Sequence, residues 1–300
     1  MNLSYFDAHC DTLTTGDHYH QVHLSEERFA RRGQIFAVCA DGVMQADDSF
    51  FQQAVSKLSA MPGAVLCRTG EAMEQALQNK RIAAILSIEG ADVVGCDECR
   101  LHRAYETGVR LIGLTHNRFN GLAGTNVEES ALGLTERGRS FAAKAVELGM
   151  ILDISHLSDR SAAELLAAYP GRVIASHSNA RTLCGHPRNL TDDLFRQLLD
   201  AGGICGINLY TRFLTGGTQA KVEDAVRHIE YFRAMDDRAE SALALGCDFD
   251  GCAYLPDEIQ TSPAAYVLAE ALLQRNYPEE TVNRLFFDNL YHFQRRTLPR

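Results

Sequence analysis

Six segments of this chain close a short apolar run with side chains that can hold a metal ion or move a proton. They are His9-Cys10-Asp11, Ser87-Ile88-Glu89-Gly90, Thr115-His116-Asn117, Asp153-Ile154-Ser155-His156, Ser176-His177-Ser178 and Asp248-Phe249-Asp250-Gly251. Taken singly, each has an ordinary reading, since a lone histidine after a strand is more often a hydrogen-bonded loop residue. Taken together they do not. Three histidines and three carboxylates meeting on one rim can satisfy two divalent cations with the nitrogen and oxygen donors that zinc accepts. The cations would also offset the repulsion among crowded carboxylates. In His9-Cys10-Asp11 the outer residues share one side of an extended chain, so both can reach one ion while Cys10 points away into packing.

Such donors need a scaffold that presents strand ends on one rim. Short apolar, β-branched runs over 5–9, 34–39, 82–88, 109–115, 150–154, 172–175, 203–208 and 242–247 alternate with segments of helical period. Those segments lie near 50–60, 71–79, 98–107, 136–148, 158–168, 191–201, 219–236, 264–275 and 279–294. Eight strands with helices between them predict an α/β fold, a (β/α)8 barrel of the TIM type, whose chemistry collects at the C-terminal ends of its strands. Ser158 and Thr191 stand where helix N-caps are expected, the latter followed by Asp192 and Asp193 in the first turn.

At 300 residues with 46% hydrophobic content the chain can bury one large core, so a single domain over 1–300 is expected. No linker, repeat or low-complexity tract divides it. A formal net charge of −10 and a pI of about 5.6 would repel a phosphate backbone, so nucleic acid is not an expected partner. No apolar stretch reaches the roughly 18 to 20 residues of a membrane span, and the N-terminus shows no leader pattern. Nine scattered cysteines, an odd number, suit a reducing compartment, and a cytoplasmic location is expected. The sequence is compatible with a homodimer.

Several motifs resemble those of the membrane (renal) dipeptidase family, zinc-dependent peptidase family M19. They are Phe6-Asp7-Ala8-His9-Cys10-Asp11-Thr12, Ser87-Ile88-Glu89-Gly90, Leu114-Thr115-His116-Asn117, Asp153-Ile154-Ser155-His156, Ser176-His177-Ser178-Asn179-Ala180-Arg181, Arg188-Asn189 and Asp248-Phe249-Asp250-Gly251. The resemblance implies two zinc ions. His9 and Asp11 would hold one, His156 and His177 the other, Glu89 would bridge them, and Asp248 would contact the first ion and the water between. It also implies that His116 and Arg188 bind substrate, a small dipeptide. The residue types agree: a carboxylate has two oxygens with which to bridge, and a guanidinium fork matches a peptide's C-terminal carboxylate.

The reaction so implied is metal-assisted amide hydrolysis, with hydroxide held between the ions attacking the peptide carbonyl. Asp248 would take the water's proton and pass it to the leaving amine, while His116 donates to the oxyanion. Catalytic roles therefore fall to Asp248, His116 and Glu89. The family's Gly-rich approach to the last strand reads Ser241-Ala242-Leu243-Ala244-Leu245-Gly246 here. Its Gly-Gly-Asn before the final helix reads Phe287-Asp288-Asn289.

Two alternatives remain: another metal-dependent amidohydrolase acting on a small amide, and a family member repurposed away from peptides. The first commonly carries His-x-His on strand one and a modified lysine on strand four, where this chain has His9-x-Asp11 and His116. The second would be marked by a lost ligand, and none is lost. Asp17-His18-Tyr19-His20-Gln21-Val22-His23 reads as a solvent-facing loop, and Cys96-Asp97-Glu98-Cys99 lacks the second pair a zinc site needs. His228 reads as a core hydrogen-bonding histidine. Asn208, after the seventh strand, is not counted in the site.

Overall fold

The computed structural model describes residues 2–14, 21–23, 28–40 and 48–300. Among the described residues nine parallel strands are present: β1 (Tyr5–Asp7), β2 (Arg32–Cys39), β3 (Ala64–Leu66), β4 (Ile82–Glu89), β5 (Val109–Gly113), β6 (Ile151–Asp153), β7 (Val173–Ala175), β8 (Ile204–Ile207) and β9 (Leu243–Leu245). Pairing of β1 with both β2 and β9, and of β2 with β4, closes eight of them into a barrel. The expected (β/α)8 architecture is therefore what the chain adopts.

The remaining strand, β3, was not expected. It pairs with the first half of β4, from Ala64↔Ile82 to Leu66↔Ala84, and β5 takes over the same edge from Leu86↔Val109 onward. At eight residues β4 is long enough to serve two neighbours on one side in succession.

Most strands are shorter than their apolar runs, and side chains explain why. At the mouth, polar groups take over backbone hydrogen bonds that would otherwise extend the ladder. Asp7 Oδ1 accepts from the amides of His9 at 3.2 Å and Cys247 at 2.9 Å. Asp153 Oδ1 accepts from the amides of Ser155 and Ser176, both at 3.0 Å. Asn179 Oδ1 accepts from the amide of Asn208 at 3.1 Å. Beyond these points the ladders are interrupted, pairing resuming after β1 and β9 only as an isolated parallel bridge between Cys10 and Phe249.

Alternate strand residues fall into two packed clusters. Phe6, Ile35, Ile85, Leu111, Ile151, Ile174 and Ile204 gather with Phe287, Leu290 and Phe293 of the C-terminal helical segment 279–297. That segment plugs the barrel end opposite the mouth. Tyr5, Phe36, Leu86, Ile112, Leu152 and Val173 face the surrounding helices instead. Burial of each such side chain contributes about 1.5 to 3 kcal/mol, so the strands' positions are strongly fixed. Asn289 ties plug to sheet, donating from Nδ2 to the carbonyls of Glu240 and Leu243 at 2.8 Å each. The asparagine kept from the family pattern is thus a clamp.

The expected caps form: Ser158 accepts from the Ser161 amide and Thr191 from the Leu194 amide, at helices Asp159–Ala168 and Asp192–Asp200. Among the described residues no helix is long and apolar enough to cross a membrane.

Candidate metal centre

The six sequence-nominated ligands converge at the C-terminal mouth of the barrel. Nε2 of His9 lies 3.7 Å from Asp11 Oδ1, 3.5 Å from Glu89 Oε1 and 3.9 Å from Asp248 Oδ1. Glu89 Oε1 lies 2.7 Å from His156 Nε2 and 3.4 Å from His177 Nε2. Glu89, the last residue of β4, therefore stands between two donor groups, His9 with Asp11 and His156 with His177. Nitrogen and oxygen donors gathered about one central carboxylate are a set that can hold divalent cations. Cys10 packs into the hydrophobic core instead, as the strand period implied.

Ring orientations are fixed by partners beyond the ligands. Ser176 donates its hydroxyl to Asp153 Oδ2, so at 2.7 Å from His177 Nδ1 the same oxygen accepts the ring's proton. That leaves Nε2 of His177 with its lone pair toward the cleft. Asn117 does the corresponding work for His156. Its Oδ1 lies 3.3 Å from His156 Nδ1, and its Nδ2 donates to His116 Nε2 at 3.3 Å. Asn117 thus couples a proposed ligand to the proposed oxyanion donor. Asp153 also lies within ligand reach of His9 and His177. Its oxygens are committed to the Ser155 and Ser176 hydroxyls and amides, which makes it a support.

The fit to cations shows in what the protein alone leaves unsatisfied. Nε2 of His156 and Nε2 of His177 face each other at 3.2 Å, and among the described residues neither nitrogen of the buried His9 has a hydrogen-bond partner. Buried polar atoms left without a partner cost about 1 to 3 kcal/mol each, a cost that a cation replacing the protons of His9 would remove. Burial, aided by Arg188 and His116, pushes His156 well below the usual histidine value; burial, aided by His9 and Arg188, does the same to His177. Burial, then the nearby Glu89 carboxylate, pushes Asp11 up to about 7. Burial opposes charge on His9 and on Glu89, yet their mutual attraction wins: His9 is raised well above its usual value and Glu89 held well below. Asp248 is raised, chiefly by burial.

Two glycines make room for this crowding. Gly90 has φ +88, and a side chain there would press on the His116 backbone at 3.1 Å. A Cβ at Gly251 would collide with the carboxylates of Asp11 and Asp248. Asp248 itself adopts a left-handed backbone, φ 63, which turns it over the mouth.

Asn208, passed over in the sequence, belongs to the site: its Nδ2 donates to Asp248 Oδ2 at 3.1 Å. The signal was its place directly after β8. His228 is indeed a core residue, accepting at Nδ1 from the Ala180 amide at 3.1 Å and lying 3.0 Å from the Leu214 carbonyl through Nε2. Cys96 is buried and Cys99 exposed, and both are free thiols. His18 and His20 lie outside the described residues; the amide of His23 donates to Ser262 Oγ at 2.9 Å.

The donors open into a pocket of about 580 Å³ lined also by His116, Arg188, Tyr210 and Phe213. Arg188 is held by a braced loop. Its neighbour Asn189 donates to the carbonyls of Cys184 and Phe213 at 2.9 Å each, and Arg181 pairs with Asp159 through two bonds of 2.6 Å. Arg188 Nη2 lies 3.1 Å from His156 Nε2, while its buried Nη1 has no hydrogen-bond partner among the described residues. A guanidinium so placed is ready for an anionic group entering the pocket.

Comparison with known proteins points the same way. A family model described as membrane dipeptidase, peptidase family M19, matches residues 50–297. An uncharacterized protein in the pqqA 5′ region of Klebsiella pneumoniae is 31% identical over 234 residues, which are 75% of this chain and 85% of that one. An uncharacterized dipeptidase of Schizosaccharomyces pombe is 32% identical over 229 residues, 73% of this chain and 54% of its own, so this chain spans about half of that relative. Among solved structures, a metallo peptidase from Rhodobacter sphaeroides liganded with a phosphinate mimic of the dipeptide L-Ala-D-Ala gives a TM-score of 0.85 at 23% identity, covering 99% of this chain and 100% of that one. The dipeptidase AC, a family M19 metallo peptidase, gives 0.85 at 24% identity with 100% of both chains covered. At these identities the solved structures establish the shared barrel.

Proposed function

The chain belongs to the membrane dipeptidase family, peptidase family M19, whose members are metal-dependent hydrolases of small peptides, and from that premise we propose that it is a two-zinc dipeptidase. The observation that carries this reading is the meeting of His9, Asp11, His156, His177 and Asp248 around Glu89, with both ring nitrogens of the buried His9 unpaired among the described residues. His9 and Asp11 would hold one ion, His156 and His177 the other, and Glu89 both. Bound cations would supply Lewis-acid polarisation of the scissile carbonyl and a water acidified toward a pKa of about 7.

The chain's own groups do the rest. Asp248, anchored at Oδ2 by Asn208, keeps Oδ1 toward the cleft, where it takes the attacking water's proton and returns it to the leaving amine. His116 donates to the oxyanion, a contribution of about 2.7 to 4 kcal/mol where such donors have been removed. Arg188 receives the peptide's C-terminal carboxylate through its unpaired Nη1. A pocket of about 580 Å³ suits a molecule of dipeptide size. All nine cysteines are free thiols, which supports a reducing compartment, the cytoplasm, as the place of action.

The test is a panel of dipeptides, with L- and D-residues at the C-terminal position, assayed on metal-stripped and zinc-restored protein. Activity should vanish on stripping, return with zinc and disappear in Asp248→Asn. A rate indifferent to chelation would sink the proposal.

A further inference from the structure

A third set of donors meets on the wall of the same pocket. Sγ of Cys39, a ring nitrogen of His116 and a carboxylate oxygen of Glu89 all lie within 4.8 Å of one another. Cys39 closes β2 in direct register with Glu89 at the end of β4, and paired residues of parallel strands point to the same side of the sheet. Sulfur and carboxylate are therefore brought together by the barrel itself. His116 is delivered from the adjacent strand end, close against Gly90, where no side chain intervenes. Cys39 is half-buried and lines the open pocket, so a solute can reach it.

We propose that Cys39, His116 and Glu89 form an accessory site for a thiophilic divalent cation, whose occupancy inhibits the enzyme. Thiolate, imidazole and carboxylate together are a donor set for zinc or cadmium, with a fourth position left to water. As sulfur coordinates, the thiol proton departs to solvent. Two consequences follow from the geometry. Glu89 is shared with the resident pair, so a further cation meets like charge at short range and binds far more weakly than the first two. It therefore fills only when metal exceeds two ions per chain. Once filled, it occupies His116, and the oxyanion loses its donor. The inhibitory effect rests on the dipeptidase reading; the binding does not.

The experiment starts from protein loaded with two ions per chain and carrying Cys99→Ser, which removes the exposed thiol. Cadmium is titrated in while the ultraviolet charge-transfer absorbance of cadmium thiolate is followed. An increment beyond the second equivalent is expected, and it should be missing in Cys39→Ser and Cys39→Ala. In parallel, excess zinc should inhibit dipeptide hydrolysis, the Cys39 variants needing at least about tenfold more zinc for equal inhibition, since losing even an outer partner of a metal ligand costs that much affinity. Their uninhibited rates should match the parent. Manganese, a harder ion, should not inhibit in this way. Equal absorbance increments with and without Cys39 overturn the site. Loss of the increment in the variants, with no dipeptide cleaved by any metal form, upholds the cation site and instead overturns the dipeptidase reading.

Discussion

Asn208 holds Asp248 by a hydrogen bond of 3.1 Å from Nδ2 to Oδ2, across the mouth from β8 to the turn after β9. Its own Oδ1 accepts from the Tyr210 amide at 2.6 Å, so the asparagine is itself fixed. One carboxylate oxygen is anchored and the other faces His9. If proton transfer by Asp248 needs that aim, Asn208→Leu should lower kcat by about 10- to 100-fold, the usual cost of losing such a support. Metal content by elemental analysis should stay at the parent level; a parent-like kcat would refute the positioning role.

Arg188 sits buried with Nη1 unpaired. A hydrogen bond to a charged group contributes about 1.5 to 3 kcal/mol, so Arg188→Ala should raise KM for dipeptides by roughly tenfold to a hundredfold, with a smaller change in kcat. Dipeptides amidated at the C-terminus should be poor substrates for the parent enzyme and lose little further in the variant. Steady-state kinetics on the two substrate sets checks both statements.

The His9–Asp11 pair keeps a proton near neutrality. Burial and Glu89 raise Asp11 to about 7, and the carboxylates around His9 hold its proton on. His156 and His177 are held neutral and have no proton to give up. Cation loading must therefore expel protons at the first pair, and apparent affinity there should rise as pH climbs through about 7. Calorimetry in two buffers of different ionisation enthalpy should find more protons released per ion at about pH 6 than at about pH 8. Equal release at both would contradict this account.

Asn289 bonds the carbonyls of Glu240 and Leu243 from within the closing helical segment. Removing its amide leaves both groups short of a donor at a buried seam, which costs about 1 to 3 kcal/mol. Asn289→Ala should lower Tm by several degrees in a scanning measurement. Its kcat at low temperature should be unchanged, because the clamp lies at the barrel end away from the mouth.

The sequence by itself determined which candidate donors stand at strand ends and in what order, because His9, Asp11, Glu89, His156, His177 and Asp248 each follow an apolar run whose two-residue period places them at a strand's polar end. That is local information, legible one segment at a time. The barrel class was legible for the same reason, through the alternation of strand and helix patterns.

Only the tertiary structure decided which donors share which neighbour. Ring orientation depends on Asn117 with His156 and on Ser176 with Asp153, and aim depends on Asn208 with Asp248, pairs joined across different strand ends that leave no periodic trace. The extra strand β3 exists because β4 has edge to spare, a fact of pairing between distant segments. Cys39 and Glu89, fifty positions apart in the chain, become neighbours through register alone. Register is set by closing the whole barrel at once, so no single segment of the chain contains it.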